Sequence, residues 1–209
     1  VERTGLSIGA AMRKGLRQLR DTVTRARHHK NLMTFLIASA IYRDGLNTLF
    51  AVGGLYAAGT FGMNFTEILI FAIGLNVTAG LGAAAFAHAD DKWGSKRTVM
   101  IALAGLLATG AAILFIHDKN IFIALALALG IFMGPAQAAS RTLAARLSPP
   151  DMVAQTYGLY SFTGKSVSFF GPLAFGLATS AFDSQRAGMA TIILFWVAGM
   201  ALLALVREK

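Results

Sequence analysis

The chain has 209 residues, of which 56% are hydrophobic and only 14% charged, where a soluble domain carries about 25% charged residues. Mean hydropathy is +0.60 and Gly occurs 22 times, a composition that fits an integral membrane protein and excludes a disordered chain. There is no Cys, which excludes disulfide scaffolds, Cys-based metal sites and Cys nucleophiles, and the net charge of +9 is interpretable only once its distribution along the chain is known.

Residues 1–30 are basic and contain no apolar core of the signal-peptide kind. Because the sequence starts at Val1 rather than Met, it is expected to be a fragment of a longer protein. Met12, Leu16, Leu19, Val23 and Ala26 recur at alternating steps of four and three, one stripe of a helix. Arg13, Lys14, Arg17, Arg20 and Arg25 surround that stripe. Three readings fit: an amphipathic basic helix on an anionic membrane surface, a solvated linker helix, or, behind these two, a calmodulin-type target.

Six apolar stretches follow, each of a length that spans a bilayer core as a helix. They run roughly over 32–60, 66–89, 98–116, 121–144, 157–182 and 187–206. Segments such as 121–130 are apolar on every side, unlike the alternation of a barrel strand. The expected fold is therefore all-α: residues 31–209 as a bundle of six transmembrane helices, preceded by the basic segment 1–30. The connectors alternate in charge. Eight of the 19 Lys and Arg lie in residues 1–30, and Lys92, Lys96, Arg97, Arg141, Arg146, Arg207 and Lys209 fall on the same side of the membrane. Lys119 and Arg186 alone fall on the other. This asymmetry predicts that both ends of the chain are cytoplasmic. It also accounts for the high net charge without nucleic acid, whose usual basic and aromatic footprint is missing.

Charge inside a span is costly and points to function. Arg43 and Asp44 sit near the middle of the first span, with Asn47 and Thr48 on the Asp44 face. This stripe reads either as one wall of a water-filled substrate path or as half of a structural ion pair. Asn76 in the second span and Gln137 in the fourth are path candidates or interhelical hydrogen-bond formers. The fifth span is the most polar, with Lys165 and Ser166 followed by Pro172, which is expected to bend it. Lys165 can snorkel to the interface, pair with Asp44, or face an anionic substrate. Metalloprotease, serine-hydrolase and phosphate-loop signatures are absent from the sequence, and the four His are scattered near span ends. No enzyme activity, cofactor or metal is expected. Asn64-Phe65-Thr66 matches a glycosylation acceptor but hugs a span.

After the second span, Asp91-Lys92-Trp93-Gly94-Ser95-Lys96-Arg97 resembles the signature loop between the second and third helices of each half of major facilitator superfamily transporters. Ala87 stands where that family usually has Gly. Tyr42 to Gly45, Ser140-Arg141, Leu147 to Pro150, Gly164 to Leu173 and Ser184 to Gly188 resemble the vacuole-effluxer-like branch, also called the unknown major facilitator family. The likeness covers nearly the whole chain, in the order of the C-terminal six-helix half of a twelve-helix carrier. What it implies is secondary active transport of a small solute by alternating access, proton- or ion-coupled, with amino-acid efflux as the relatives' association. It further implies an N-terminal six-helix half of the same protein, a solute, protons and membrane lipid as partners, and a bacterial inner membrane as location. Asp44, Asn47 and Gln137 would line the path, and Asp91, Lys92, Gly94, Lys96 and Arg97 would form a gating loop. Two alternatives are a six-span half-transporter that homodimerises and a non-transporting membrane scaffold or receptor.

Overall fold

The computed structural model describes residues 22–208. Met12, Leu16 and Leu19 of the expected amphipathic stripe lie outside them. Residues 22–27 are helical, with Ala26 fully buried and Val23 half-buried. Seven helices follow: α1 (Lys30–Phe61), α2 (Phe65–Trp93), α3 (Ser95–Phe115), α4 (Lys119–Leu147), α5 (Val153–Val167), α6 (Phe170–Phe182) and α7 (Gln185–Ala204). The described residues contain no strand. Four helices, α2, α3, α4 and α7, are each long and apolar enough to cross a membrane. The expected single fifth span is instead two shorter helices, α5 and α6, separated at Ser168 and Phe169.

The helices start and stop where local chemistry permits. Asn64 opens α2 with a capping box: its Oδ1 accepts from the Glu67 amide at 2.9 Å, and Glu67 Oε2 accepts from the Asn64 amide at 2.9 Å. The glycosylation-like triplet is thus a helix start. Asp118 caps α4 by accepting from the amides of Asn120 and Ile121. The two basic residues on the sparsely charged side have local partners. Lys119 pairs with Glu67, and Arg186 donates to the carbonyls of Leu114 and Ile116, capping the C-terminal end of α3.

α1 lies along α7 and α5, α4 lies between α2 and α3, and α6 packs on α7. The central core holds Phe35, Tyr42, Tyr56, Leu103, Leu106, Met133, Leu143, Ile192 and Trp196, all essentially inaccessible. α2 meets α4 through small residues. A Cβ at Gly82 would lie 1.9 Å from the Ile131 carbonyl oxygen, and one at Gly134 1.9 Å from that of Ala79. Such contacts bring two backbones together where no water drives helices to associate.

Candidate functional site

The site forms where α1 meets the break between α5 and α6. Pro172 has no amide hydrogen, so the Ser168 carbonyl four residues earlier has no helical donor, and the proline ring crowds that carbonyl. The chain leaves the helix at Ser168 and restarts it at Phe170. Restarting exposes amide groups that a continuous helix would have paired. One of them, Gly171 N–H, donates to Asp44 Oδ2 at 2.8 Å. Asp44 is only 1% exposed and lies near the midpoint of the 32-residue α1. Its carboxyl faces the positive end of the α6 dipole, the favoured place for an anion. Thr48, one turn on, donates to the Asp44 carbonyl at 2.7 Å. Oδ1 of Asp44 has no hydrogen-bond partner among the described residues. A Cβ on residue 171 would come within 1.9 Å of Thr48 Oγ1 and 3.1 Å of Asp44 Oδ1, so the close approach requires glycine.

Arg43 points elsewhere. One of its terminal nitrogens donates to the Tyr160 carbonyl at 2.9 Å, and the guanidinium lies 4.0 Å over the Tyr160 ring. That ring stacks on Phe35. Beside it, Tyr42 hydroxyl and Ser140 Oγ are 2.6 Å apart. Ser140 gives its one proton to the Ala136 carbonyl, so Tyr42 is the donor, and the pair ties α1 to α4 deep in the core.

Asn47 is exposed one turn along α1 from Arg43. Asn76 is exposed on α2 and bonds within its own helix, to the Ala72 carbonyl at 2.8 Å. Gln137 is half-buried on α4, and Lys165 and Ser166 are exposed on α5. The salt bridges among the described residues are Lys119–Glu67 and Arg146–Glu208. The expected alternative of an Asp44–Lys165 ion pair is therefore corrected: a backbone amide, not an ammonium, meets the carboxylate.

The expected gating loop is almost entirely helical. Asp91 and Lys92 lie in the last turn of α2, Lys96 and Arg97 in the first turn of α3, and Gly94 alone reverses the chain, at φ 89°. Asp91 does not cap the start of α3. Glu208 does it instead, accepting from the amides of Ser95 at 3.1 Å and Lys96 at 2.7 Å while pairing with Arg146 at 3.2 Å. In return Lys96 donates to the Ala204 and Val206 carbonyls at the end of α7. Each helix end thus supplies the cap of the other. Gly171, Tyr160, Tyr42 and Glu208 are the contributors that sequence reasoning did not single out as site residues.

Residues 3–209 match the family described as vacuole effluxer Atg22 like. The chain is 24% identical to the uncharacterized MFS-type transporter YxiO of Bacillus subtilis, over 92% of this chain and 45% of that protein. It is 26% identical to autophagy-related protein 22 of Cryptococcus neoformans, over 86% of this chain and 36% of that protein. It is likewise 26% identical to autophagy-related protein 22 of Saccharomyces cerevisiae, over 76% of this chain and 32% of that protein. The chain spans less than half the length of each of these relatives.

Proposed function

This chain belongs to the vacuole effluxer Atg22-like family, and we propose that it forms one six-span half of a major-facilitator carrier that moves a small solute by alternating access. α1 and the α5–α6 pair are the two further spans, in addition to the four helices that are apolar enough by themselves. At about 1.5 Å per residue, the 32 residues of α1 are more than long enough to cross. The other half would be the N-terminal six helices of the same protein, and both ends of this chain would be cytoplasmic.

The observation that carries the reading is the buried Asp44 carboxyl set against the N-terminal end of α6. A helix interrupted at membrane depth is tolerated only where protein or a water-filled cavity meets its freed backbone groups. Carriers place their substrate and coupling-ion sites at such breaks. As a carboxylate, Asp44 is held by Gly171 N–H and the α6 dipole. As a neutral acid, it removes a charge from an apolar layer. Proton uptake therefore changes the force between α1 and α6, the kind of difference between two states that coupling requires. The family description suggests efflux, and the resemblance suggests amino acids as the solute class.

The test is transport by the complete gene product in proteoliposomes, with an imposed proton gradient and a panel of amino acids. Asp44→Asn keeps an oxygen for Gly171 N–H but removes the titration. We expect it to retain solute exchange and to lose gradient-driven accumulation. Wild-type accumulation by Asp44→Asn, with unchanged dependence on the gradient, would remove Asp44 from the coupling step.

A further inference from the structure

Arg43, Asp44 and Lys165 are charged side chains well inside the proposed spans of the bundle. None forms a salt bridge. Asp44 is withdrawn from the cations, since its carboxyl is buried against α6 and bonded to a backbone amide. Arg43 is held wholly by neutral groups, the Tyr160 carbonyl and the Tyr160 ring. These contacts fix the guanidinium without cancelling its charge. They occupy one terminal nitrogen and one face, and the remaining N–H donors have no hydrogen-bond partner among the described residues. Gly164 provides the space: a Cβ there would lie 2.7 Å from one terminal nitrogen of Arg43 and 3.1 Å from the other. The next residue on α5 is Lys165, which is exposed and whose ammonium has no partner among the described residues. On the same stripe of α5, Ser161 and Tyr157 are also exposed, and on the Arg43 stripe of α1 so is Asn47.

Two uncompensated cations at adjoining positions, inside a layer where each is costly alone, call for a counter-ion. The described residues supply none. We propose, resting on the carrier reading above, that Arg43 and Lys165 bind the oxyanion of the transported solute, a small organic anion carrying a carboxylate or a phosphate. The planar fork of Arg43 orients such a group by paired hydrogen bonds, and Lys165 adds a mobile point charge. The exposed Ser161 and Asn47 flank the position with neutral donors and acceptors. The bound anion supplies the missing charge during transit, so the loaded site crosses between states closer to neutral than the empty one.

The test is thermal unfolding of the purified complete gene product with matched solutes. The panel contains free amino acids, their carboxamides, the corresponding deaminated carboxylic acids, di- and tricarboxylates, and sugar and inorganic phosphates. Carboxylates, or phosphates, are expected to raise the unfolding temperature by mass action, and the carboxamides are not. Which of the two groups does so identifies the oxyanion. Lys165→Gln, at an exposed position, and Arg43→Gln are each expected to weaken the apparent affinity by roughly tenfold or more, with Arg43→Lys intermediate. Unfolding without solute checks that the variants are folded. Stabilisation by carboxamides or cationic solutes equal to that by their acids, or an anion effect that survives Lys165→Gln, overturns the oxyanion site while leaving the carrier intact. Absence of any solute effect, together with absence of transport in the proteoliposomes, overturns both.

Discussion

At Gly171, one missing methyl group decides whether α1 and α6 can meet. The Cβ of an alanine there would overlap Thr48 Oγ1 at 1.9 Å. Gly171→Ala should therefore destabilise the protein by about 1–3 kcal/mol, the usual cost of overpacking. The clash names its own remedy. Thr48→Ala removes Oγ1 and should recover most of the loss in the double variant, whereas Thr48→Val, which keeps a methyl group in that place, should not. Unfolding temperatures of the three combinations measure the coupling. Equal losses with Ala and with Val at position 48 would place the damage elsewhere. Arg43 and Asp44 stand out in the sequence because charge inside an apolar run is rare and costly. Their partners do not stand out. Gly171 N–H and the Tyr160 carbonyl are backbone groups 127 and 117 positions away, and a backbone group has no residue type to read. The obvious side-chain partner for Asp44, Lys165, is ruled out by geometry that spacing along the chain does not encode. Glu208 escapes notice for a related reason: a single acid near the end of a basic chain has no local pattern, and only the fold brings it to the first turn of α3.

Among the elements, the apolar runs mark the helices well because a helix in lipid must be predominantly apolar across the hydrocarbon layer. Their ends are less legible. Polar residues continue α2 past the apolar run to Trp93, so the signature segment that reads as a loop is two helix ends joined at one glycine. Pro172 announces a disturbance in the fifth span. The break appears one turn upstream, at Ser168 and Phe169, because a proline removes the donor for the carbonyl four residues before it. Pro172→Ala restores that donor. It should let Ser168 recover its bond and draw α5 and α6 into one helix, pulling Gly171 N–H away from Asp44. We expect unfolding temperature to hold or rise while the rate of solute transport falls. A variant with wild-type transport and wild-type stability would mean that the break is fixed by the surrounding packing rather than by the proline.

At the scale of the whole molecule, the distribution of Lys and Arg predicts an orientation, while apolarity conceals the contacts. α2 buries only Phe71 and Gly82, and Leu69, Ile70, Ile73, Val77 and Leu81 are all more than half exposed. Lipid and the proposed partner half would both receive an apolar surface, so composition does not divide it between them. Sidedness is different, because it is written in Lys and Arg. The two exceptions, Lys119 and Arg186, are engaged with Glu67 and with the end of α3, so they complete local structure at their own end of the bundle. The 209 residues contain no Cys, which makes the orientation directly measurable in a cysteine-free version of the complete gene product. Asn120, in the first turn of α4, and Asp151, beyond its last turn, are both exposed and lie at opposite ends of that helix. In intact bacterial cells a membrane-impermeant maleimide should label Asn120→Cys at once and Asp151→Cys only after permeabilisation. That result would set the α2–α3 turn, Glu208 and the basic residues around them on the cytoplasmic side, where the capping between α3 and α7 holds the inner ends of the helices together. The reverse result would turn the bundle over and place the Asp91 to Arg97 segment outside. A cytoplasmic gating role for it would then be excluded, whatever the Asp44 site does.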